Sequence, residues 1–572
     1  MDFAMYQVLR NIFYFFGGNA GIDSPRFHNG AFQYHRSGGN DGIALYYATV
    51  HHNGAHADQY IVMNSTTMHD GIVTDRNIIS DLGRVLLIGA MDAGAILYIH
   101  GIAHPDIMYV AADHCVEPDA AVGTHDNIAN DSCIGGDKTI LAELRTLAKH
   151  RKNSCHKYAN FVFRMSSNNS RKRKKMSGIS HRQVFLQHMA QTSAAPIGIE
   201  MVKASGIHLF DASGKQYVDL ISGFSVANIG HSHPRVVKAV QLQAAEYMHL
   251  IVYGEFIEAP QTAYAKMLCD HLPPSLNCVY FTNSGTEATE GAMKLAKRVT
   301  GRTKILAFNK AYHGSTQGAL SLMGDEYWRN AFRPLLPGIA HADYNDPAAI
   351  DHIDEETACV ILETVQAESG ITKPSAEWLR TIREKCDAAG ALLILDEIQA
   401  GFGRTGSLWA FEQSGIEPDI LLLGKALGGG MPLGAFIADK KRMNALSHDP
   451  VLGHITTFGG HPVSCAAGLA AFEVLLDEKL IDGVRSKEKI LTDTLHHPAI
   501  LSLQHYGLWA SLQFDTVQRC QQTVHRCIQN GLITDWFIFA PDRLRIAPPL
   551  IIAEEEIKEC CQIILRSINE AG

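Results

Sequence analysis

The distribution of apolar and polar positions changes near residue 175. Upstream, short apolar runs at 84–89 and 95–99 predict strands between turn residues. Downstream, short apolar runs alternate with segments whose apolar residues recur at helical spacing. This alternation predicts an α/β fold with a largely parallel sheet covered on both faces. The predicted strands are 278–281, 304–308, 359–363, 392–396, 420–423 and 434–438, and two predicted helices are 375–389 and 463–478.

Residues 1–175 show no repeat and no catalytic motif. Histidines at 51–56 and at 100–104 have spacings that a helix could turn into a metal site, but neighbouring Gly and Asn residues disfavour a helix. Solvated histidines are therefore the favoured interpretation. A basic run at 171–175, which is more often a linker than a polyanion patch, is followed directly by Met176. We expect residues 1–175 to be a poorly ordered extension or a segment outside the natural mature protein.

The segment 283–288 joins a predicted strand to a predicted helix. Gly285 lies between Ser284 and Thr286, so backbone N–H groups and two hydroxyls at a helix start could bind a phosphate. An ordinary helix N-cap begins in the same way, and the segment alone leaves both interpretations open. The apolar face expected for this helix is Ala288, Ala292, Leu295 and Val299, with Glu287 and Glu290 in its first turn.

Two charged residues follow predicted buried strands. Asp396 ends the strand 392–396, where a carboxylate needs a positive partner, either an ion pair in the core or a protonated ring nitrogen. Lys425 follows four apolar residues, and desolvation would lower its pKa and free its lone pair to attack a carbonyl. Schiff-base chemistry therefore fits Lys425 better than a structural ion pair. Ligands of such sheets bind at the carboxyl ends of the strands, where both residues are expected.

Composition narrows the classes of function. The 572 residues include 50 Lys and Arg against 59 Asp and Glu, a net charge of −9 that disfavours a dedicated nucleic-acid binder. No apolar run reaches the length of a membrane-spanning helix. The 12 cysteines show neither a C-x-x-C pair nor a zinc spacing, so no metal site is expected. We expect a cytoplasmic protein with reduced thiols and no nucleic-acid or membrane partner.

These motifs, taken in order, resemble those of the class III pyridoxal-phosphate-dependent aminotransferases of fold type I, the ornithine, acetylornithine and 4-aminobutyrate type. The resemblance spans residues 176–572 and implies a large cofactor-binding domain at 236–470. A small α+β domain would combine segments 176–235 and 471–572. The implied cofactor is pyridoxal 5′-phosphate. The implied reaction moves an amino group from an amino acid or ω-amine donor to a 2-oxo acid acceptor in a ping-pong cycle.

The resemblance also implies residue roles. Lys425 would form the Schiff base with the cofactor and move the proton from the substrate Cα, while Asp396 would keep the pyridinium nitrogen protonated. Gln399 would lie near the ring hydroxyl, with Tyr312 and Ile398 on opposite faces of the ring. The implied cofactor contacts are Ser284, Gly285, Thr286, Tyr312, His313, Asp396, Ile398, Gln399, Lys425 and Thr457.

Three further residues complete the implied site. Thr457 resembles the threonine that reaches the phosphate from a neighbouring subunit, which implies a homodimer with a shared active site. The alternative for Thr457 is a cap preceding the next helix. Glu368 and Arg545 resemble a gate in which the glutamate masks the arginine until a 2-oxo acid carboxylate enters. A permanent surface salt bridge is the alternative for this pair.

Several positions depart from the family pattern. Ser315 stands where ornithine and 4-aminobutyrate members usually have an arginine for the distal carboxylate, which puts those substrates in doubt. Thr364, Ala367, Ala400 and His461 replace the usual proline, glycine, threonine and asparagine. An aminomutase, racemase or decarboxylase on the same scaffold remains an alternative. A non-catalytic phosphate-ligand binding protein is the alternative from another class.

Overall fold

The computed structural model describes residues 180–572 and four short strands before them. The chain divides into two units, Met1–Lys174 and Lys175–Gly572. In the first unit, β1 (Arg26–His28) pairs antiparallel with β2 (Ala31–Gln33), and β3 (Leu97–Gly101) pairs antiparallel with β4 (Met108–Ala112). Strand β3 includes part of the strand predicted at 95–99. The strand predicted at 84–89, the histidines at 51–56, the basic run and Met176 lie outside the described residues.

A seven-stranded sheet forms the centre of the second unit. Its order is β10-β9-β11-β12-β13-β14-β8, and its neighbours are parallel except at β14, which is antiparallel to both β13 and β8. The strands are β8 (Cys278–Thr282), β9 (Lys304–Phe308), β10 (Ile339–Ala342), β11 (Thr357–Glu363), β12 (Leu392–Asp396), β13 (Ile420–Leu423) and β14 (Gly434–Ala438). All six predicted strands are present, and β10 is additional.

Two smaller four-stranded sheets complete the described fold. In one, N-terminal strands β5 (Met201–Ser205), β6 (His208–Asp211) and β7 (Gln216–Asp219) are joined by β17 (Leu532–Ile533), which runs parallel to β7. The other is antiparallel and comes from the C-terminal segment. Its strands are β15 (Ser502–His505), β16 (Ala510–Gln513), β18 (Trp536–Phe537) and β19 (Ala540–Ile546).

The described helices differ widely in length. They are α1 (His181–His188), α2 (Ser222–Ser225), α3 (Pro234–Glu246), α4 (Ala259–Asp270), α5 (Gly285–Thr300), α6 (Gln317–Ser321), α7 (Glu326–Arg329), α8 (Ala376–Ala389), α9 (Lys440–Met443), α10 (Pro462–Asp477), α11 (Val484–Thr494), α12 (Val517–Gln529) and α13 (Glu554–Ala571). Short 3-10 turns occupy Asn330–Phe332, Pro347–His352, Ala410–Ser414, Lys425–Gly428 and Asn444–Ser447. The two helices predicted at 375–389 and 463–478 correspond to α8 and α10, each within one residue. Within the described residues, no helix combines the length and apolarity that crossing a membrane needs.

Helix α5 shows how the sequence positions the centre of the sheet. Ser284 caps its first turn and Gly301 ends it in the left-handed conformation, at φ 70°. Ala288, Ala292 and Leu295 are fully buried against the sheet, whereas Val299 is 38% exposed, so its predicted place on the apolar face was wrong. Glu290 falls in the second turn rather than the first. The helix presses so closely on the sheet that a Cβ on Gly291 would overlap Phe436.

Candidate active site

Two adjacent parallel strands place the central charged pair. Asp396 is the last residue of β12, and Lys425 follows β13 after a single glycine, Gly424. Because the strands run parallel, both side chains emerge at the carboxyl edge of the sheet, as the sequence predicts. Lys425 has a φ of 49°, a left-handed conformation that is uncommon for a long side chain. The fold therefore holds this lysine in a costly backbone conformation at the sheet edge.

The surroundings of Lys425 favour its neutral form. Its side chain is half-buried, and within the described residues its amine has no hydrogen-bond partner. Desolvation lowers its pKa to about 8, with the positive charge of Arg545 acting in the same direction and the carboxylates of Glu368, Asp396 and Glu363 opposing it. An appreciable share of Lys425 is therefore a free amine near neutral pH, which nucleophilic attack on an aldehyde requires.

Asp396 lies in a buried pair with His313. The Nδ1 atom of His313 is 2.7 Å from Oδ2 of Asp396, while Oδ1 accepts the backbone N–H of Ile398 at 2.9 Å. Burial works against protonation of His313, but the hydrogen bond and charge of Asp396, together with the charge of Glu363, outweigh it and raise the pKa of His313. The Nε2 atom of His313 is buried without a partner in the described part of the chain. Asp396 and His313 were both named as candidate site residues from the sequence, but the contact between them was not predicted.

Glu363 is a further buried carboxylate that the sequence reasoning missed. It ends β11 in register with Asp396, and its oxygens accept the backbone N–H groups of Tyr312 at 3.1 Å and Ala367 at 2.9 Å. Burial raises its pKa to about 7, although the charge of His313 opposes the shift. Glu363 thus ties the loop of Tyr312 to the loop that leads to Glu368. Its position at the end of an apolar strand, like that of Asp396, was the signal available in the sequence.

The start of α5, where an anion site was expected, is capped by Ser284. The Oγ atom of Ser284 accepts the N–H of Glu287 at 3.4 Å, and Thr286 shares a hydrogen bond with Thr316 at 2.7 Å between their hydroxyl oxygens. The other N–H groups of the first turn have no partner inside the helix. A Cβ at Gly285 would lie 2.6 Å from Cδ1 of Ile398. Glycine at this position therefore permits close approach of the helix start and the residues after β12.

The side chains expected around the cofactor ring have few partners of their own. The Tyr312 hydroxyl contacts Ser315 at 3.1 Å, and Ile398 is half-buried. Gln399 donates its Nε2 hydrogen to Glu368 at 3.2 Å, while its Oε1 is buried with no donor in the described residues. Leaving such an acceptor unpaired costs roughly 1–3 kcal/mol. Gln399 therefore presents an acceptor for a hydroxyl that binds here.

Glu368 and Arg545 form a buried bidentate pair. Nη1 and Nη2 of Arg545 donate to the two carboxylate oxygens of Glu368 at 3.0 and 2.9 Å, and Arg545 is only 1% exposed. Burial raises the pKa of Glu368, but the adjacent arginine more than offsets this and lowers it to about 2. The alternative of a surface salt bridge is wrong, because both side chains are inside the protein. Phe537 lies 4.2 Å from the guanidinium carbon and Phe224 lies 5.2 Å from it.

Thr457 lies apart from these contacts. It is exposed on the segment 451–458, and its side chain makes no hydrogen bond to any described residue. The N-cap of α10 is His461, so the alternative of Thr457 as a helix cap is not what the structure shows. The same segment exposes Val451, Leu452, Ile455 and Phe458.

The arrangement fits pyridoxal 5′-phosphate. Free N–H groups at the start of α5 suit a phosphate, and the unpaired Oε1 of Gln399 suits the ring hydroxyl. The neutral form of Lys425 suits an aldehyde, and Asp396 suits a protonated ring nitrogen. These four functions occur on loops that follow β8, β12 and β13. A single small ligand at the carboxyl edge of the sheet would use all of them.

Comparison with known proteins gives a consistent result. The family model for class-III aminotransferases matches residues 189–568. The acetylornithine aminotransferase of Methanopyrus kandleri is 37% identical over 390 residues, which cover 67% of this chain and 97% of that enzyme. The enzyme of the same name from Streptomyces coelicolor is 38% identical over 365 residues, covering 63% and 88%.

Solved structures agree with these sequence relatives. The ornithine aminotransferase of Toxoplasma gondii, whose structure holds pyridoxal phosphate at partial occupancy in the active site, is 30% identical with a TM-score of 0.63. The match covers 68% of this chain and 93% of that one. A transaminase from the marine bacterium Virgibacillus has a TM-score of 0.64 at 23% identity, over 68% of this chain and 98% of its own. The fold is that of the pyridoxal-phosphate-dependent transaminases, fold type I, as expected.

Proposed function

The chain belongs to the class-III aminotransferases, which are pyridoxal-phosphate-dependent enzymes, and we propose that its transamination runs on the residue set built around Lys425 and Asp396. When bound, pyridoxal 5′-phosphate supplies an electron-withdrawing ring that stabilises negative charge at the donor Cα. The observation that carries the proposal is the pairing of a lysine of lowered pKa with a buried carboxylate at the ends of neighbouring strands. Family membership favours transamination over the alternatives left open by the motifs.

The surroundings of each side chain support its proposed role. Lys425 would hold the cofactor aldehyde covalently, and its Nζ would take the proton from the donor Cα once the donor has displaced it. Asp396, kept in place by His313 and by the N–H of Ile398, would hold a proton on the ring nitrogen. Gln399 would accept the hydrogen of the ring hydroxyl.

The remaining cofactor contacts divide between the two ends of the ligand. Ser284, Gly285 and Thr286 would bind the phosphate through backbone N–H groups and hydroxyls. Tyr312 and Ile398 would pack on opposite faces of the ring, where an offset arrangement of aromatic groups is favoured. His313 would act through Asp396 instead of touching the ring, because its Nδ1 is engaged with that carboxylate.

The acceptor is proposed to be a 2-oxo acid whose carboxylate binds Arg545. Glu368 occupies the Nη1 and Nη2 atoms of Arg545 in the structure, and the incoming carboxylate would replace it. A planar guanidinium suits this exchange because it offers the same bidentate edge to either carboxylate. The amino donor would react while Glu368 covers the arginine. One site would therefore serve both halves of a ping-pong reaction.

The donor is proposed to be a primary amine, either an amino acid or an ω-amine. The relatives are named for acetylornithine, but Ser315 offers this chain a hydroxyl where a cation would bind a distal carboxylate. A donor panel separates the possibilities. We expect ω-amines without a distal carboxylate to react at least as well as N-acetylornithine and 4-aminobutyrate, measured by the rate of loss of the visible cofactor band. A strong preference for N-acetylornithine would contradict this expectation.

A homodimer with a shared active site is also proposed. Thr457 lies on an exposed segment, and bulky apolar side chains are exposed both there and at 248–257, among them Met248, Ile257 and Phe458. His249 of the segment 248–257 contacts the other segment, with its ring centroid 4.8 Å from that of Phe458. A second copy would cover this surface and bring its own Thr457 to the phosphate. Sedimentation of the wild type and of Thr457→Val should show a dimer in each case. The variant should retain the cofactor more weakly than the wild type if Thr457 reaches the phosphate of the second copy.

The thiols are consistent with a cytoplasmic location, which we propose. All nine cysteines of residues 180–572 are free, and most are buried with pKa values raised by desolvation, as for Cys359 and Cys465. Buried thiols of this kind are inert and do not require an oxidising compartment.

Borohydride reduction tests the central assignment. The purified protein should show a visible absorbance band that borohydride removes, leaving the cofactor attached to the peptide that contains Lys425. Adding a clean amino donor without an acceptor should instead convert the band to the pyridoxamine form. Attachment at another lysine would overturn the role of Lys425, and no band after addition of pyridoxal phosphate would overturn the proposal.

A further inference from the structure

A second carboxylate holds Arg545 on the side away from Glu368. Oδ1 of Asp535 accepts the Nε hydrogen of Arg545 at 2.9 Å, while the two Nη atoms are occupied by Glu368. The guanidinium therefore lies between two carboxylates that use different edges of it. Asp535 was not among the residues that the sequence marked.

The segment around Asp535 also fixes the main chain of Arg545. The backbone N–H of Arg545 donates to the carbonyl of Asp535 at 2.9 Å, and the hydroxyl of Thr534 donates to the carbonyl of Arg545 at 2.6 Å. The ring of Phe537 covers one face of the guanidinium at 4.2 Å. The backbone carbonyl of Trp536 also accepts a longer hydrogen bond from Nη2 of Arg545, at 3.4 Å. The four consecutive residues 534–537 therefore all contact Arg545.

The charges that face Asp535 come from several elements. They are Arg545 on β19, Glu368 after β11 and Asp219 at the end of β7, which is itself paired with His231 at 2.7 Å. Burial raises the pKa of Asp535 to about 6, with Arg545 opposing the shift and the two carboxylates adding to it. At neutral pH Asp535 is therefore ionised, and its bond to Arg545 is charge-assisted.

The geometry has a consequence when Glu368 withdraws. Without another partner, a long arginine side chain gains rotamer freedom once its bidentate partner is gone. Here the Nε bond to Asp535 remains, and the edge formed by Nη1 and Nη2 becomes free in an unchanged orientation. An acceptor carboxylate then meets a donor pair already positioned for two parallel hydrogen bonds.

We propose that Asp535 is a positioning residue for the acceptor half of the reaction, holding Arg545 by Nε while Glu368 and the 2-oxo acid carboxylate exchange on its other edge. The inference rests on the proposed acceptor role of Arg545. It adds to that role a residue that touches neither cofactor nor substrate and acts only through the arginine.

Two substitutions separate a positioning role from a packing role. Asp535→Asn keeps an oxygen that can accept the Nε hydrogen, whereas Asp535→Leu removes it. We expect the KM for 2-oxoglutarate and for pyruvate to rise about tenfold or more in Asp535→Leu and to stay within about threefold in Asp535→Asn. The KM for the amino donor and the visible cofactor band should be unchanged in both. Asp542→Leu, on β19 with Arg545 but bonded to Gln513, is the control and should behave as the wild type.

Thermal stabilisation of the holoenzyme by 2-oxoglutarate, without donor, gives a readout independent of turnover. The stabilisation should be retained in Asp535→Asn and largely lost in Asp535→Leu. An acceptor KM in Asp535→Leu within twofold of the wild type would overturn the inference, as would equal rises in donor and acceptor KM with loss of the cofactor band. A wild type without turnover would instead refute the proposed function, and the thermal shifts would still decide whether Asp535 affects carboxylate binding.

Discussion

Strand β13 has a charged residue at each end, and the two ends differ in how completely their charges are paired. Before the strand, Asp419 accepts hydrogen bonds from Arg383 and Arg442, each at 2.7 Å, and from the backbone N–H of Leu393 at 2.8 Å. After it, Lys425 has a lowered pKa and no hydrogen bond within the described residues. The amino end is an ion-pair network, in which Nε of Arg383 has no partner among the described residues. The carboxyl end leaves the amine of Lys425 unpaired.

The comparison separates charges that are paired within the fold from the charges to which the proposed function assigns chemistry. Carboxylates with two cationic partners, such as Asp419, hold neighbouring elements together. At the opposite edge, Glu363 and Lys425 have pKa values moved toward neutrality by burial, and His313 and Gln399 keep unpaired polar atoms. Such a concentration of incompletely satisfied groups is the physical signature of a ligand site.

The strongest test of the comparison removes the charge at the carboxyl end. Lys425→Ala should lower kcat/KM for transamination by at least about 10³-fold, because it removes the amine proposed to move the proton. The melting temperature of the cofactor-free variant should not fall below that of the cofactor-free wild type, since the deleted amine is desolvated and makes no hydrogen bond within the described residues. Steady-state rates with 2-oxoglutarate and thermal unfolding measure both effects. Lys441→Ala, which changes an exposed lysine, is the control. Activity of Lys425→Ala close to that of Lys441→Ala would refute the proposed role of Lys425.

A smaller loss of activity is expected when Asp396, at the end of the adjacent strand β12, is substituted. Asp396→Asn keeps the shape but removes the charge that raises the pKa of His313 and would hold the ring proton. We expect kcat to fall about 10²-fold or more, with faster loss of the visible band on dialysis. If kcat in Asp396→Asn stayed within threefold of the wild type, the buried pair would be structural, like the network around Asp419.

The lowered pKa of Lys425 gives a pH-dependent prediction. Only the neutral amine attacks the aldehyde, and the pKa of about 8 means that its fraction grows with pH up to that value. The rate of cofactor uptake by cofactor-free protein should therefore rise about tenfold per pH unit below 8 and level off above it. Stopped-flow absorbance would measure this. A rise that continues beyond pH 9.5 would indicate an ordinary lysine pKa.

The smallest effect on activity is expected at the amino end of β13. Arg383→Met leaves Asp419 with Arg442 as its remaining cation, and we expect about 2 kcal/mol less stability toward urea unfolding. Transamination should stay within twofold. Arg380→Met, an exposed arginine on the same helix, should change stability by no more than about 0.5 kcal/mol. A large loss of activity in Arg383→Met alone would mean that the two ends of the strand are coupled.

Local pattern was sufficient for the elements that carry the site. The strands 304–308, 392–396, 420–423 and 434–438 have the predicted bounds because each is a short apolar run closed by polar or glycine residues. Strand β10 was missed because Ile339–Ala342 contains a histidine and only one bulky apolar residue, and its burial depends on pairing with β9. Tertiary pairing, not local preference, decides such a strand.

Contacts between segments distant in the chain could not be predicted from the sequence. The resemblance named Glu368 and Arg545, but only the fold shows that Asp535 binds the same guanidinium and that Glu363 bonds to the Tyr312 loop. Neither Asp535 nor Glu363 was marked by a motif. Each is important because of the side chain or loop that the fold places against it. The prediction for Val299 was wrong for the opposite reason: helical spacing put it on the apolar face, but in the fold its side chain is exposed.

The parallel pairing of β7 with β17 has a consequence for synthesis on the ribosome. Val218 and Asp219 are paired with Leu532 and Ile533. This sheet therefore cannot be completed until more than 300 further residues have been synthesised after β7. At 5–20 residues per second the wait is roughly 15–60 s, while the strands of the large sheet emerge in between. The N-terminal hairpin strands keep an open edge during that interval, so nascent chains lacking the last 40 residues are where chaperone dependence and aggregation should concentrate.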